Sequence, residues 1–276
     1  MCTVTVLHSE NGFVLTMNRD ERRTRKEDGL RRAVEGGVSF CYPIDAQAGG
    51  TWIGVNDRGI AACLLNNYKT PTSRDARSRG EIVSSALACG GMTEVSTFLK
   101  DLDVTPYNAF ECLVLSLGEI HHFSWNKADY NRQKLSRDKP IMLTSSSERL
   151  RQVTQYRLRL FNQWQARQTD DVGLFHLQQQ KSQKRSAVFM SRELTHTKSL
   201  VQVNVTEQQC QLDYFDNQTL CANSGLLELQ STDSHSMPVV AEQIRDRHYW
   251  HAVAEQIRDR RLQTARLATV SEAEVA

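Results

Sequence analysis

A cysteine at position 2 places a thiol and, if Met1 is removed, a free α-amino group on one residue. Such a pair can act as nucleophile and base without a catalytic histidine. An unperturbed α-amino group titrates at about 7.7–8.0, so near neutral pH it can take a proton and return it. The run Asn18-Arg19-Asp20-Glu21 supplies the charges such a centre uses. A neighbouring arginine favours the thiolate, the reactive form. On this reading Arg19 with Asp20 holds thiolate and amine in place, and Asn18 and Glu21 flank the ligand. A bland reading of the same residues is a small buried cysteine in a first strand and a solvated charged loop over Arg19–Arg32.

Other side chains could recognise a ligand. Arg74, Arg77 and Arg79, with Arg19, Arg22, Arg23 and Arg25, could form a basic rim suited to a carboxylate or phosphate. His121 and His122 are adjacent, so on a strand they face opposite ways and cannot easily share a metal. No His-x-x-x-His or Cys-x-x-Cys spacing occurs, so the reading includes no metal and no cofactor.

The elements that must position these groups follow from pattern. Thr3–Leu7 and Phe13–Met17 are β-rich and flank Ser9-Glu10-Asn11-Gly12, a hairpin signal. A type I′ turn at Asn11-Gly12 would pair Glu10 with Phe13, Val4 with Arg19 and Cys2 with Glu21. Cys2, Val4 and Val6 then share a face with Met17, Arg19 and Glu21, and Asp20 points the other way; a one-residue slip exchanges the faces. A second hairpin runs from Gly49-Gly50 through Thr51–Val55, turns at Asn56-Asp57-Arg58-Gly59 and returns over Ile60–Leu65. Helices are expected up to Ala88, from Thr93 to Leu102, and from the serines at 145–147 to near Arg167. Residues 168–185 read as a polar helix and loop. Strands are expected at Phe110–Leu117, His121–Trp125, Ser186–Met190, Lys198–Val205 and Cys210–Phe215. Strands at both ends with helices between them fit a layered α+β domain.

The 276 residues can bury one large core, or one domain with an appendage. Thirty-four basic residues against 32 acidic ones do not indicate bulk nucleic-acid binding. No apolar run approaches the roughly 20 residues of a membrane span. The lack of a signal-peptide core and the seven scattered cysteines point to a reducing, cytoplasmic setting.

Several of these motifs resemble the NRDE family, which includes the Transport and Golgi Organisation 2 proteins. The likeness is carried by Met1-Cys2, Asn18-Arg19-Asp20-Glu21, Gly49-Gly50-Thr51-Trp52-Ile53-Gly54, Arg58-Gly59, Leu65-Asn66-Asn67-Tyr68, Ser78-Arg79-Gly80-Glu81 and Tyr107-Asn108-Ala109-Phe110. With Ser186–Met190 it covers about residues 1–216. That family is similar to N-terminal-nucleophile hydrolases, including cysteine amidases acting on penicillin V and bile-salt conjugates. The resemblance implies an αββα fold, two antiparallel sheets between two helical layers. It also implies an oxyanion donor at Asn67, with Asn66 the near alternative, although the residues alone read as a loop start. Trp52 and Arg79 lie in its matched motifs. Ser146 stands where those amidases use an asparagine to orient substrate, a departure that removes part of their constellation.

The domain is expected over residues 1–217. Residues 218–276 read as an irregular linker and a charged helical tail, in which Val240–Arg247 recurs verbatim at Val253–Arg260. Three functions are consistent with these features. One is a cysteine hydrolase or acyl-transfer enzyme acting on a non-peptide amide or thioester of a small acidic amphiphile. Another is a carrier of haem or an acyl-CoA-like lipid, a role the resemblance suggests, with a basic rim over an apolar pocket. The third is a scaffold whose tail binds a protein partner.

Overall fold

The first hairpin turns one residue earlier than the turn chemistry predicts, which moves every cross-strand partner by two. In the computed structural model, which describes residues 2–167, 172–179, 181–219 and 221–229, strand β1 (Cys2–Ser9) pairs with β2 (Gly12–Arg22) so that Ser9 opposes Gly12 and Cys2 opposes Arg19. Neither Glu10 nor Asn11 has a positive φ, so the type I′ turn does not form. Gly12 instead meets a packing demand: a Cβ there would overlap the carbonyl of Val205 on a neighbouring strand. A shift of two residues preserves side-chain direction, so the expected face of Cys2, Val4, Val6, Met17 and Arg19 stands. Slipping by one residue would instead turn the buried polar Thr3, Thr5, Thr16 and Asn18 into the core between the sheets and send Val4, Val6, Leu15 and Met17 to the helical side.

Strands β3 (Glu27–Glu35) and β4 (Val38–Asp45) follow, then β5 (Ile53–Asn56) and β6 (Ala61–Asn66). Helices α1 (Gly80–Leu87) and α2 (Met92–Asp101) precede β7 (Phe110–Leu115), β8 (Ile120–Trp125), β9 (Tyr130–Leu135) and β10 (Ile141–Ser145). Helices α3 (Leu150–Ala166) and α4 (Val172–His176) lead to β11 (Thr195–Thr206), β12 (Gln209–Asp216) and β13 (Cys221–Glu228). Two antiparallel sheets result, β10-β1-β2-β11-β12-β13 and β3-β4-β5-β6-β7-β8-β9.

The inner faces bury Cys2, Val4, Val6, Leu15 and Met17 against Ile53, Val55, Cys63, Leu65 and Leu113. On the far side of the larger sheet, Tyr42, Leu64 and Phe110 pack under Ile82, Leu87, Val95 and Leu99 of α1 and α2. On the far side of the other, Leu7, Val14 and Met142 meet Phe161, Trp164 and Phe175 of α3 and α4. The architecture is therefore a four-layer αββα sandwich of the α+β class.

Five local expectations are corrected. Glu27–Arg32 is an edge strand rather than a charged loop, with Glu27 facing inward to an ion pair. Ser186–Met190 is irregular although Ala187–Met190 are buried. Side chains satisfy its backbone in place of a ladder: Arg157 donates to the carbonyls of Ser186 and Ala187, Asn18 to that of Val188, and the Met190 N–H donates to Thr197. Gly91 and Arg149, not Thr93 and the serines, occupy the N-cap positions of α2 and α3. Within the stretch read as polar, α4 buries Val172 and Phe175. Beyond residue 217, β13 adds a full strand to the sheet; the repeated octapeptide lies outside the described residues.

Candidate functional site

Cys2 opens β1 between two partners, Arg19 on β2 and Ser145 on β10. Its backbone nitrogen donates to Ser145 Oγ at 3.2 Å. Cys2 is 6% exposed and lines a cavity of about 390 Å³. The walls come from Arg19-Asp20-Glu21 on β2, Asp45 at the end of β4 with Gln47, Ala48 and Gly50-Thr51-Trp52 beyond it, Leu64 and Asn66 on β6, the loop 73–80, and Asn108. Two loops must cross closely to close it. A Cβ on Gly50 would come within 2.7 Å of the Gly80 backbone, which explains a glycine at both positions.

Arg19 is the electrostatic hub. Its guanidinium contacts Glu27 at 2.5 Å and Asp45 at 2.7 Å, with Glu21 at 3.9 Å, and stacks over the Trp52 ring at 4.3 Å. Asp45 also takes Arg25 at 2.7 Å, and Glu27 accepts from the Tyr214 hydroxyl at 2.8 Å. The charge of Arg19 is thus spent on two carboxylates. Arg19 favours the Cys2 thiolate, as expected, but burial outweighs it and pushes the thiol above its ordinary 9.0, with Asp20 adding to the rise.

Asp20 contributes differently from its neighbour. Its backbone N–H lies against the Cys2 sulfur. Its carboxylate turns to the helical layer, accepting from Thr197 Oγ1 at 2.6 Å and from Arg157 Nη2 at 3.1 Å. Arg157 is completely buried and also donates to Thr3 and Thr144. A β-bulge between Thr197 and Ser199, opposite Arg19 and Asp20, lets β11 bring Thr197 to this carboxylate.

The remaining expected site residues divide. Glu21, Trp52, Asn66 and Arg79 line the cavity. Glu21 opposes His196, not Cys2. Asn18 is a scaffold residue: its amide nitrogen donates to the carbonyls of His176 and Val188, and its oxygen contacts His176 Nδ1 at 3.0 Å. Asn67 is not in this wall; its amide donates to Glu111 at 2.7 Å and its oxygen accepts from the Lys69 N–H. Asn66, the alternative, is. Ser146 points away from Cys2, bonding the Glu148 carbonyl at 2.6 Å and accepting from Arg192 at 3.0 Å. Ser145 takes the place beside Cys2, because the strand period turns Ser145 inward with Leu143.

The rim is also revised. Arg25, Arg74, Arg77 and Arg79 face the cavity, whereas Arg23 is tied to the carbonyls of Arg192 and Glu193. The wall itself is polar; its larger apolar side chains are Trp52 and Leu64. Sequence reasoning missed Glu27, Asp45, Ser145 and Arg157. Recognising β3 and β10 as strands would have revealed Glu27 and Ser145, but no local pattern points to Arg157. Among the described residues no helix is long and apolar enough to cross a membrane.

Comparison with known proteins places this geometry. The sequence model of a family described as Transport and Golgi organisation 2 matches residues 1–232. The Transport and Golgi organization protein 2 homolog of Bos taurus is 33% identical over 119 residues, 40% of this chain and 41% of that one. The Mus musculus homolog is 30% identical over 149 residues, 49% of each chain. The chain spans about half the length of the curated relatives it matches. Among solved structures, the C2A mutant of conjugated bile acid hydrolase from Clostridium perfringens aligns with TM-score 0.50 and 12% identity, over 87% of this chain and 100% of that one. An N-acylethanolamine-hydrolyzing acid amidase ortholog from Caenorhabditis elegans aligns with TM-score 0.53 and 11% identity, over 73% and 92%. At those identities the likeness is one of fold, the N-terminal-nucleophile hydrolase kind.

Proposed function

The chain belongs to the Transport and Golgi organisation 2 family, and from that premise we propose that Cys2 is the nucleophile of a cysteine hydrolase or acyl-transfer enzyme. Its substrate is a non-peptide amide or thioester of a small acidic amphiphile. The observation that carries this reading is the placement of Cys2: thiol on a cavity wall, backbone nitrogen on Ser145 Oγ. The reading requires removal of Met1, after which that nitrogen is the α-amine.

The amine takes the thiol proton as sulfur attacks the substrate carbonyl carbon, and the carbonyl π electrons move to oxygen. Asn66, which lines the cavity and uses one amide N–H on the Tyr68 hydroxyl at 3.0 Å, keeps a second N–H for that oxyanion. Collapse expels the amine or thiol leaving group, which receives the proton from the Cys2 ammonium. Water, or an acceptor, then attacks the thioester with the amine again as base. A thiol raised by burial suits this sequence, because no thiolate need exist before substrate binds.

A buried thiol is equally compatible with an unreactive Cys2, which leaves a second reading, a non-catalytic carrier of haem or an acyl-CoA-like lipid in which Cys2 only lines the pocket. Two measurements separate them. Intact mass spectrometry should show Met1 absent, and 2-cyanobenzothiazole, which condenses with a terminal 1,2-aminothiol, should add to Cys2; retained Met1 refutes the amine-assisted mechanism. Cys2→Ser should abolish acyl-enzyme formation, whereas a carrier retains its ligand in that variant.

A further inference from the structure

The cations around the Cys2 cavity are unequally matched. Arg19 is held by Glu27 and Asp45, Arg25 by Asp45, and Arg77 by Glu81 at 2.8 Å. Arg79 stands apart. Among the described residues it makes no ion pair, and its one hydrogen bond is from Nη1 to the Ala109 carbonyl at 2.8 Å. That carbonyl also accepts the Asn67 N–H at 3.1 Å, so the guanidinium is anchored to the end of the sheet. A guanidinium carries five N–H donors in a planar fork, so four remain. The side chain is part-buried, and burial disfavours its charged form. Arg74, exposed on the same loop, likewise makes no ion pair among the described residues. Glu21, on the same wall, attracts Arg79 only from beyond ion-pair distance, and a part-buried cation without a contacting carboxylate is costly unless an anion completes it.

We propose that Arg79 is the anion-recognition residue of the Cys2 cavity, gripping a carboxylate or phosphate of the ligand bidentately, with Arg74 as the outer contact. The cavity is about 390 Å³ and mainly polar-walled, so the ligand places its acidic group beside the reacting carbonyl and carries its apolar part elsewhere. The ligand class is an acyl compound whose anion lies within one cavity's width of the carbonyl. Arg rather than Lys at this position fits the planar fork of such a group. The assignment deepens the reading of Cys2 as the reacting group and rests on it for what reacts there, but anion binding itself needs no chemistry.

The test uses the full chain and two probes, succinate and inorganic phosphate, at constant ionic strength in thermal-shift titrations. At least one should raise the melting temperature saturably. Arg79→Gln should weaken that apparent affinity about tenfold or more, and Arg79→Lys should fall between, as loss of a charge-assisted bidentate pair requires. A shift with succinate but not phosphate identifies a carboxylate site, and the reverse a phosphate site. No saturable shift with either anion, or the full shift surviving in Arg79→Gln with an unchanged baseline melting temperature, overturns the proposal. A parallel comparison of iodoacetate with iodoacetamide at Cys2 links the two groups: the anionic reagent should be favoured, and Arg79→Gln should cut that preference about tenfold. Anion binding lost in Arg79→Gln with Cys2 inert to both reagents would sink the nucleophile reading and leave this one standing.

Discussion

His176 gives the folded state a measurable dependence on pH. Its imidazole is buried between the sheet and the helical layer, with Nε2 2.8 Å from Thr5 Oγ1 and Nδ1 3.0 Å from Asn18 Oδ1. Asn18 donates its amide nitrogen twice, so its oxygen is the acceptor here and His176 carries its proton on Nδ1. Nε2 then accepts from the threonine hydroxyl, and a second ring proton has nowhere to go. Burial, with the nearby Arg157 charge, pulls the imidazole from 6.5 down to about 3. The unfolded chain therefore binds a proton between those values that the folded chain refuses. Stability contributed by neutral His176 is present above the unfolded value and is lost as pH falls below it, down to the folded one. Linkage gives a loss of ~2 kcal/mol between about pH 7.5 and about pH 5, a large share of a typical margin of ~5–15 kcal/mol. Urea unfolding at both pH values, in the parent and in His176→Gln, isolates this from other titrations. The parent should lose ~2 kcal/mol more than the variant on acidification. Equal losses would refute both the neutral imidazole and the tautomer assigned to it.

Three further outcomes test other parts of the structure. Arg157→Met removes the buried guanidinium facing the Asp20 carboxylate and should cost about 3–5 kcal/mol in chemical denaturation; Asp20→Asn in the same chain should recover at least ~1 kcal/mol, and additive losses would mean the pair is not coupled. Gly12→Ala drives a methyl into the Val205 carbonyl and should cost ~1–3 kcal/mol by thermal melting, whereas a neutral result would show that β2 and β11 separate easily at the turn. Iodoacetamide labelling of Cys2, followed by mass spectrometry, should be slow near neutrality and keep climbing with pH beyond the range of an ordinary thiol, because burial raises this thiol. A rate already level below about pH 8 would show Arg19 prevailing over burial.

The site was partly legible before the fold was known. Alternation in β1 and β2 set which side chains share a face, and a two-residue error in register left that intact because strands repeat every two residues. Cys2, Arg19, Asp20 and Glu21 therefore met as expected at the level of faces, although the partner of Cys2 is Arg19 and not Glu21. Asn66 and Arg79 entered through matched motifs and do line the cavity. Ser146 was the wrong serine because β10 had not been recognised as the strand beside β1, and its alternation decides which hydroxyl faces Cys2.

What the sequence determined by itself is local: most of the strands, which faces of the first hairpin are apolar, and that a thiol would lie near an Asn-Arg-Asp-Glu run. Only the tertiary structure decided the electrostatics of that thiol. Burial is a property of the assembled layers, and Glu27, Asp45 and Arg157, which set the charges around Arg19 and Asp20, arrive from β3, the end of β4 and α3. Coulomb interactions fall with distance through space and take no account of separation along the chain. A charge run can therefore announce a site, while the partners that neutralise it, and the part-buried Arg79 that makes no ion pair among the described residues, become visible only once distant strands and loops are brought together.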